Sequence, residues 1–151
     1  MIAQRSPEFD LSEIVALARE AGAIAMRHFR RVGSDRKADN TIVTQADRDI
    51  EQFLVDELTR RYPHHGILGE EGAHVQREAP HQWVLDPIDG TSVFAAGLPV
   101  WAVCIGYMVD DRPVAGVVYL PITGDCFVAA PEGPALLDDR PLTAASPAPY
   151  T

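Results

Sequence analysis

The sequence predicts an α+β fold in which two N-terminal helices pack on a mostly antiparallel sheet. Two observations lead to this fold class. Apolar residues recur at helical spacing through roughly the first sixty residues, and short apolar runs bounded by Gly, Pro and polar residues follow them. The length of 151 residues and the hydrophobic fraction of 46% predict a single globular domain, residues 1–151, with a substantial core.

The first helix is predicted to begin after Asp10, where Asp10 acts as the N-cap and Glu13 completes a capping box. Basic residues collect near its end, which suits the negative pole of the helix dipole. Gly33 is the predicted stop. The apolar stripe of this helix consists of Leu11, Ile14, Ala18, Ala21, Ala25 and Phe29.

The second helix is predicted to begin near Thr44 and to end at Pro63, which cannot continue a helix. Residues 34–43, which separate the two helices, are polar and predicted to be irregular. The apolar stripe of the second helix consists of Ile50, Phe53, Leu54 and Leu58.

Strands are predicted beyond the second helix, with Asp110 and Asp111 forming the turn of a hairpin. The strand at 100–109 is apolar at nearly every position, so it is predicted to be covered on both faces. The predicted strands are residues 67–68, 83–85, 100–109, 114–120 and 126–130.

Composition excludes several classes of function. A net charge of −9 is unfavourable for binding a nucleic-acid backbone. No run approaches the roughly 18 apolar residues of a membrane span, and no basic start is followed by an apolar leader, so the predicted location is cytoplasmic. Cys104 and Cys126 are predicted to be buried thiols and not a disulfide or zinc site.

The densest polar pattern follows the predicted strand at 83–85, where Asp86 and Asp89 are three residues apart. Two carboxylates this close favour a shared cation or proton, and hard oxygen ligands suit Mg²⁺. The carbonyl of Ile88 offers a further ligand, and a short helix starting near Thr91 would offer free N–H groups to a phosphate. The alternative is an ordinary hairpin turn, because Asp-Gly between apolar runs is also typical of one.

Residues 83–99 resemble the signature of the inositol monophosphatase family, Trp-x-x-Asp-Pro-x-Asp-Gly-Thr, followed by Phe three residues on and then Gly-x-Pro. The resemblance implies Mg²⁺-dependent hydrolysis of a small phosphate monoester. Val93 stands where members that act on inositol phosphates usually carry Asn. Inositol phosphate, histidinol phosphate and related monoesters therefore remain open as substrates.

The same resemblance implies a role for each residue of the signature. Asp86 would bridge two metal ions, the Ile88 carbonyl would bind one of them, and Asp89 would bind the other. The backbone N–H groups of Gly90 and Thr91 would hold the phosphate.

Two further elements match the family pattern. In Gly-Glu-Glu at 69–71, the resemblance implies that Glu70 binds metal and orients the attacking water; the alternative is a solvated surface turn. The resemblance implies that Asp47 accepts a hydrogen bond from Thr91 and helps to activate the water, although Asp47 also fits a helix N-terminus. Lys37 matches a lysine that the family often carries near its metal site.

Members of this family are usually longer, and this sequence lacks their Trp-Asp-x-Ala-Ala-Gly element. An apolar sheet face left uncovered invites association, so a homo-oligomer or a complementary C-terminal half is a predicted partner beside a small phosphorylated substrate. A fragment that binds metal or a partner chain without catalysis is the alternative function.

Overall fold

A computed structural model of the chain describes residues 5–6, 9–31, 34–36, 42–131 and 133–143. None of the described helices combines the length and the apolar character needed to cross a bilayer. The helices are α1 (Leu11–His28), α2 (Gln45–Arg61) and α3 (Thr91–Ala95). The strands are β1 (Arg5–Ser6), β2 (Phe9–Asp10), β3 (Ser34–Arg36), β4 (Ile42–Thr44), β5 (Gly66–Gly69), β6 (His74–Val75), β7 (His81–Asp89), β8 (Ala102–Val109), β9 (Arg112–Tyr119), β10 (Cys126–Ala129), β11 (Leu136–Leu137) and β12 (Arg140–Pro141).

The main sheet has eight strands in the order β12-β11-β10-β9-β8-β7-β5-β6. Every neighbouring pair in it is antiparallel except β5 with β7, which run parallel. Asp110 and Asp111 both have positive φ and join β8 to β9, as expected for a tight hairpin turn. The predicted α+β class, with helices on a mostly antiparallel sheet, is confirmed.

Both long helices pack on the same face of this sheet, with α1 against β8 and β9 and α2 against β7. Along β8, Val103, Ile105 and Tyr107 are buried, whereas the alternate residues from Cys104 to Met108 are only partly covered. The prediction that this strand is covered on both faces is therefore wrong for the part of the chain that the structure describes. The residues are apolar on both faces, but α1 and α2 cover only one.

The N-cap prediction for α1 is confirmed, because the Asp10 carboxylate accepts the N–H of Ser12 at 3.0 Å. Glu13 is engaged differently from the predicted capping box. The Tyr62 hydroxyl accepts the N–H of Asp10 at 3.4 Å and donates to Glu13 at 3.1 Å. This hydroxyl therefore ties the start of α1 to the end of α2. Helix α1 ends at His28, and Gly33 lies outside the described residues.

The prediction that residues 34–43 are irregular is wrong at both ends of the segment. Strands β3 and β4 pair antiparallel, with Ser34 opposite Thr44. Backbone pairing satisfies N–H and C=O groups without any apolar alternation, so a polar sequence conceals it. The consequence is that β4 leads directly into α2 at Thr44, and α2 begins where it was predicted.

Candidate active site

A β-bulge in β7 places the two aspartates of the predicted signature on one face of the sheet. Asp86 lies opposite Cys104 on β8 and Asp89 lies opposite Ala102, so three steps along β7 match two along β8. Since Cys104 and Ala102 are two residues apart on a strand, they point to the same face. The extra residue in β7 restores Asp89 to the face of Asp86, while Ile88 between them is buried.

Asp86 is a half-buried carboxylate whose electrostatic environment is unfavourable. One of its oxygens, Oδ1, is buried and has no hydrogen-bond partner in the described part of the chain. Its pKa is raised to about 7, mainly by burial and further by a hydrogen bond with the Glu70 carboxyl and by the charges of Glu70, Asp89 and Asp47. A proton or a cation at this position would relieve both the repulsion and the unmet acceptor.

The carboxyl groups of Asp86 and Glu70 meet each other directly in this arrangement. Within the described ranges, no three His, Cys, Asp or Glu side chains are gathered closely enough to enclose a metal ion. Glu70 and Asp89, the carboxylates that neighbour Asp86 on the surface, are both exposed. Cys126 is buried as predicted, whereas Cys104 is only half-buried. The Cys104 thiol faces the same carboxylates, and burial together with the charges of Asp86, Asp89 and Glu70 raises its pKa to about 12.

Asp47 and Thr91 form a hydrogen bond between α2 and α3. Asp47 is 1% exposed; its Oδ2 accepts from the N–H and the hydroxyl of Thr44 at 2.7 and 2.5 Å. Its Oδ1 lies 3.2 Å from Thr91 Oγ1, which also lies 3.0 Å from the carbonyl oxygen of Ile88. The single hydroxyl proton of Thr91 is therefore shared between two acceptors. Asp47 closes the helix cap and reaches the site at the same time.

Gly90 is the N-cap of α3 and adopts a left-handed conformation with φ of 96°. Its carbonyl accepts the N–H groups of Val93 and Phe94, both at 3.0 Å. A Cβ at this position would lie 3.0 Å from Val93 Cγ2 and 3.2 Å from the carbonyl oxygen of Val100. Because Gly90 starts a helix, the alternative prediction of a hairpin turn at Asp89-Gly90 is wrong.

One polar residue near the site escaped the sequence analysis. Glu51 of α2 is 7% exposed, and its carboxylate accepts the N–H of Glu71 at 2.8 Å and that of Ala73 at 3.0 Å. Its position in the sequence could have indicated that it is buried, because Glu51 follows Asp47 by four residues and precedes Leu54 by three, which puts it on the same face of α2. A carboxylate on the buried stripe of a helix requires partners. Lys37, predicted near the site, lies outside the described residues.

The comparisons with known proteins identify the family. The model of the inositol monophosphatase family matches residues 8–149. The chain therefore belongs to the inositol monophosphatase family, as the resemblance of its signature implied.

Individual relatives agree with this assignment. An inositol-1-monophosphatase from Synechocystis is 42% identical over 102 residues, which are 67% of this chain and 36% of the relative. A protein from Neisseria meningitidis named putative Nus factor SuhB is 37% identical over 127 residues, 82% of this chain and 49% of its own. The solved structure of an IMPase from Thermotoga maritima superposes with a TM-score of 0.85 at 29% identity, covering 91% of this chain and 54% of its own. The chain thus spans about half the length, or less, of these relatives.

Proposed function

We propose that this chain carries the metal-binding and phosphate-binding residues of a Mg²⁺-dependent phosphomonoesterase. The observation that supports this best is Asp86, a half-buried carboxylate with an unpartnered oxygen beside three other carboxylates. An acidic cluster of this kind is costly to the metal-free fold and suits a hard divalent cation. The name inositol-1-monophosphatase, carried by the relative from Synechocystis, supports the same class of reaction.

Glu70, Asp86, Asp89 and the carbonyl of Ile88 would hold the metal. Two observations support this proposal: the Glu70 carboxyl is hydrogen-bonded to Asp86, and the bulge turns Asp89 to the same face of the sheet as Asp86. When bound, Mg²⁺ would supply positive charge that stabilises the negative charge developing on the phosphoryl oxygens.

The residues of the chain itself then position the substrate and move a proton. The N–H groups of Gly90 and Thr91, at the start of α3, would hold the phosphate. The Thr91 hydroxyl would take a proton from the attacking water while it passes its own proton to Asp47 Oδ1, which lies 3.2 Å away. Glu70 would orient the same water. The new P–O bond forms as the ester P–O bond breaks. The departing alkoxide takes a proton from a solvent water and leaves as an alcohol beside inorganic phosphate, and the proton on Asp47 returns to solvent.

The substrate we propose is a small phosphate monoester, with inositol phosphate and histidinol phosphate as the first candidates. The exposed rim at Glu70 and Asp89 leaves the cluster open to a solute. Because this chain spans about half of its relatives, their substrates are carried over only as candidates.

The test is phosphate release from a panel of these monoesters, with and without Mg²⁺. The Asp86→Asn variant removes the central carboxylate. The matched control is Asp56→Asn, because Asp56 is an exposed residue of α2 whose carboxylate accepts a hydrogen bond from Gln52 at 2.8 Å. Release that requires Mg²⁺, disappears in Asp86→Asn and persists in Asp56→Asn supports the proposal. No Mg²⁺-dependent release by the folded wild type refutes catalysis by this chain alone.

A second candidate function is binding of metal or of a partner chain without catalysis. The observation that favours it is the sheet face opposite α1 and α2, where Leu68 is 39% exposed and Val118 is 36% exposed. On this face, Val84 of β7 and Gly106 of β8 lie between Leu68 of β5 and Val118 of β9. A second copy of the chain or a complementary C-terminal half would cover these residues. Sizing the protein alone, and again with the C-terminal half of a longer relative added, distinguishes these partners from a monomer.

A further inference from the structure

We propose that Glu51 is a positioning residue for Glu70: the buried Glu51 carboxylate orders the loop of residues 69–73 and thereby directs the Glu70 side chain toward Asp86. The inference rests on the proposed function, in which Glu70 is a metal ligand. It assigns a role to a residue that belongs neither to the predicted ligand set nor to the phosphate-binding pair.

Both oxygens of the Glu51 carboxylate are committed to the loop. Oε2 accepts the N–H of Glu71 at 2.8 Å, and Oε1 accepts the N–H of Ala73 at 3.0 Å. Glu51 is 7% exposed, so little solvent competes with these two bonds. A buried carboxylate that accepts two backbone donors forms hydrogen bonds roughly twice as strong as neutral ones.

The loop is shaped to let this carboxylate approach closely. A Cβ built on Gly69 would overlap both the carboxyl carbon and an oxygen of Glu51. Position 69 therefore accommodates the Glu51 carboxylate only while it carries no side chain. The carbonyl of Ala73 accepts the N–H of Gly69 at 2.8 Å, which closes the loop around the carboxylate.

Glu70 is consequently held from two directions. Its own N–H donates to the carbonyl of Leu85 at 3.0 Å, which anchors it beside the strand that carries Asp86. The peptide on its other side is fixed through the N–H of Glu71 on Glu51. The Glu70 side chain is exposed, so its backbone sets the direction in which the side chain leaves the loop.

Helix α2 links this support to the other half of the site. Glu51 lies one turn after Asp47, and residues four apart share a helix face. Asp47 reaches Thr91 at the start of α3, while Glu51 reaches the loop that carries Glu70. One rigid element thus sets the position of the proposed proton acceptor relative to the proposed metal ligand.

The variant that tests the inference is Glu51→Gln, which keeps the shape but replaces one acceptor oxygen with an NH₂ group that must face an N–H donor. Glu57→Gln is the matched control, because Glu57 lies on the same helix and pairs with Arg60 and Arg61 away from the loop. The first readout is amide hydrogen exchange. We expect faster exchange at Glu71 and Ala73 in Glu51→Gln, with the interior of α2 unchanged. Unchanged exchange at these two amides, or faster exchange throughout α2, overturns the inference.

The second readout is Mn²⁺ binding, measured by electron paramagnetic resonance of the free ion. Supporting residues around a metal site typically change affinity by about 10- to 100-fold, and we expect a loss in that range for Glu51→Gln. The same substitution in a Glu70→Gln background should cause no further loss, since Glu51 acts through Glu70. An equal loss in both backgrounds refutes this. A wild-type chain that neither binds Mn²⁺ nor releases phosphate refutes the proposed function, and the exchange readout still decides whether Glu51 orders the loop.

Discussion

Substituting Asp86 with Asn should stabilise the metal-free chain at neutral pH while removing its response to Mg²⁺. Asp86 shares its surroundings with Glu70, Asp89 and Asp47, and burial is the largest reason that its pKa rises from 3.8 to about 7. An Asn side chain carries no charge to desolvate, and its NH₂ group can donate to Glu70. The substitution that destroys the proposed ligand therefore removes an unfavourable interaction from the fold.

The sign of the effect follows from proton linkage. The unfolded chain loses the Asp86 proton near pH 4, whereas the folded chain retains it until about pH 7. The folded state thus binds more protons between these values, and its stability falls as pH rises through that window. If Asp86 were fully buried, this pKa difference would correspond to about 4 kcal/mol of free energy of unfolding. Because Asp86 is only half-buried, solvent screening reduces the expected gain to about 1–2 kcal/mol.

The assay is urea unfolding in EDTA at pH 4, 6 and 8, compared between wild type and Asp86→Asn so that other titrating groups cancel. The gain should be near zero at pH 4 and reach its full value at pH 8. Adding Mg²⁺ should stabilise wild type at pH 8 and leave Asp86→Asn unchanged. A variant less stable than wild type at pH 8, or a difference that does not depend on pH, would refute the reasoning.

Three further predictions follow from the packing. Gly90→Ala should destabilise the chain by about 1–3 kcal/mol in urea unfolding, because Ala must adopt a φ of 96° against Val93. Cys104, with its pKa near 12, should have on the order of a thousandfold less thiolate at pH 8 than an ordinary cysteine, so an alkylating reagent should modify it correspondingly more slowly. Alkylation at the rate of a small thiol would contradict this prediction. Leu85→Ala on the covered face should cost about 2–5 kcal/mol, whereas Leu68→Ala on the opposite face should cost less than about 1 kcal/mol; equal costs would show that the second face is covered too.

The helices and the hairpin could be predicted because their signals are local. Asp10 caps α1 through its nearest neighbours, and Asp110-Asp111 turns the chain within two residues. Hydrophobic spacing predicted only part of the core face of each helix. Phe29 and Phe53 of the predicted stripes are only partly buried. Buried residues that the stripes did not include are Val15, Leu17, Gly22, Ala46, Asp47 and Glu51. Leu68 is exposed because α1 and α2 both pack on the opposite face of the sheet, and no local sequence signal shows which face the helices cover.

The site divides in the same way. The spacing of Asp86 and Asp89, and then the family resemblance, indicated these two residues, but only the register between β7 and β8 reveals the bulge that turns both to one face. Glu51 was missed because its partners are backbone N–H groups about twenty residues away. Because almost every residue has a backbone N–H, a sequence pattern cannot show which of them donate to a given carboxylate.

Two kinds of carboxylate, which differ in their hydrogen-bond partners, lie close together in the acidic part of the site. Asp47 and Glu51 have both oxygens bound to donors of the chain, so their charge is already compensated within the fold. Asp86 has a buried oxygen that no donor of the described chain reaches. If the fold needed only compensated charges, an amide or apolar residue at position 86 would serve better. This contrast supports the proposal that the partner of Asp86 arrives from solution, and the Mg²⁺ dependence of wild type compared with Asp86→Asn tests that proposal.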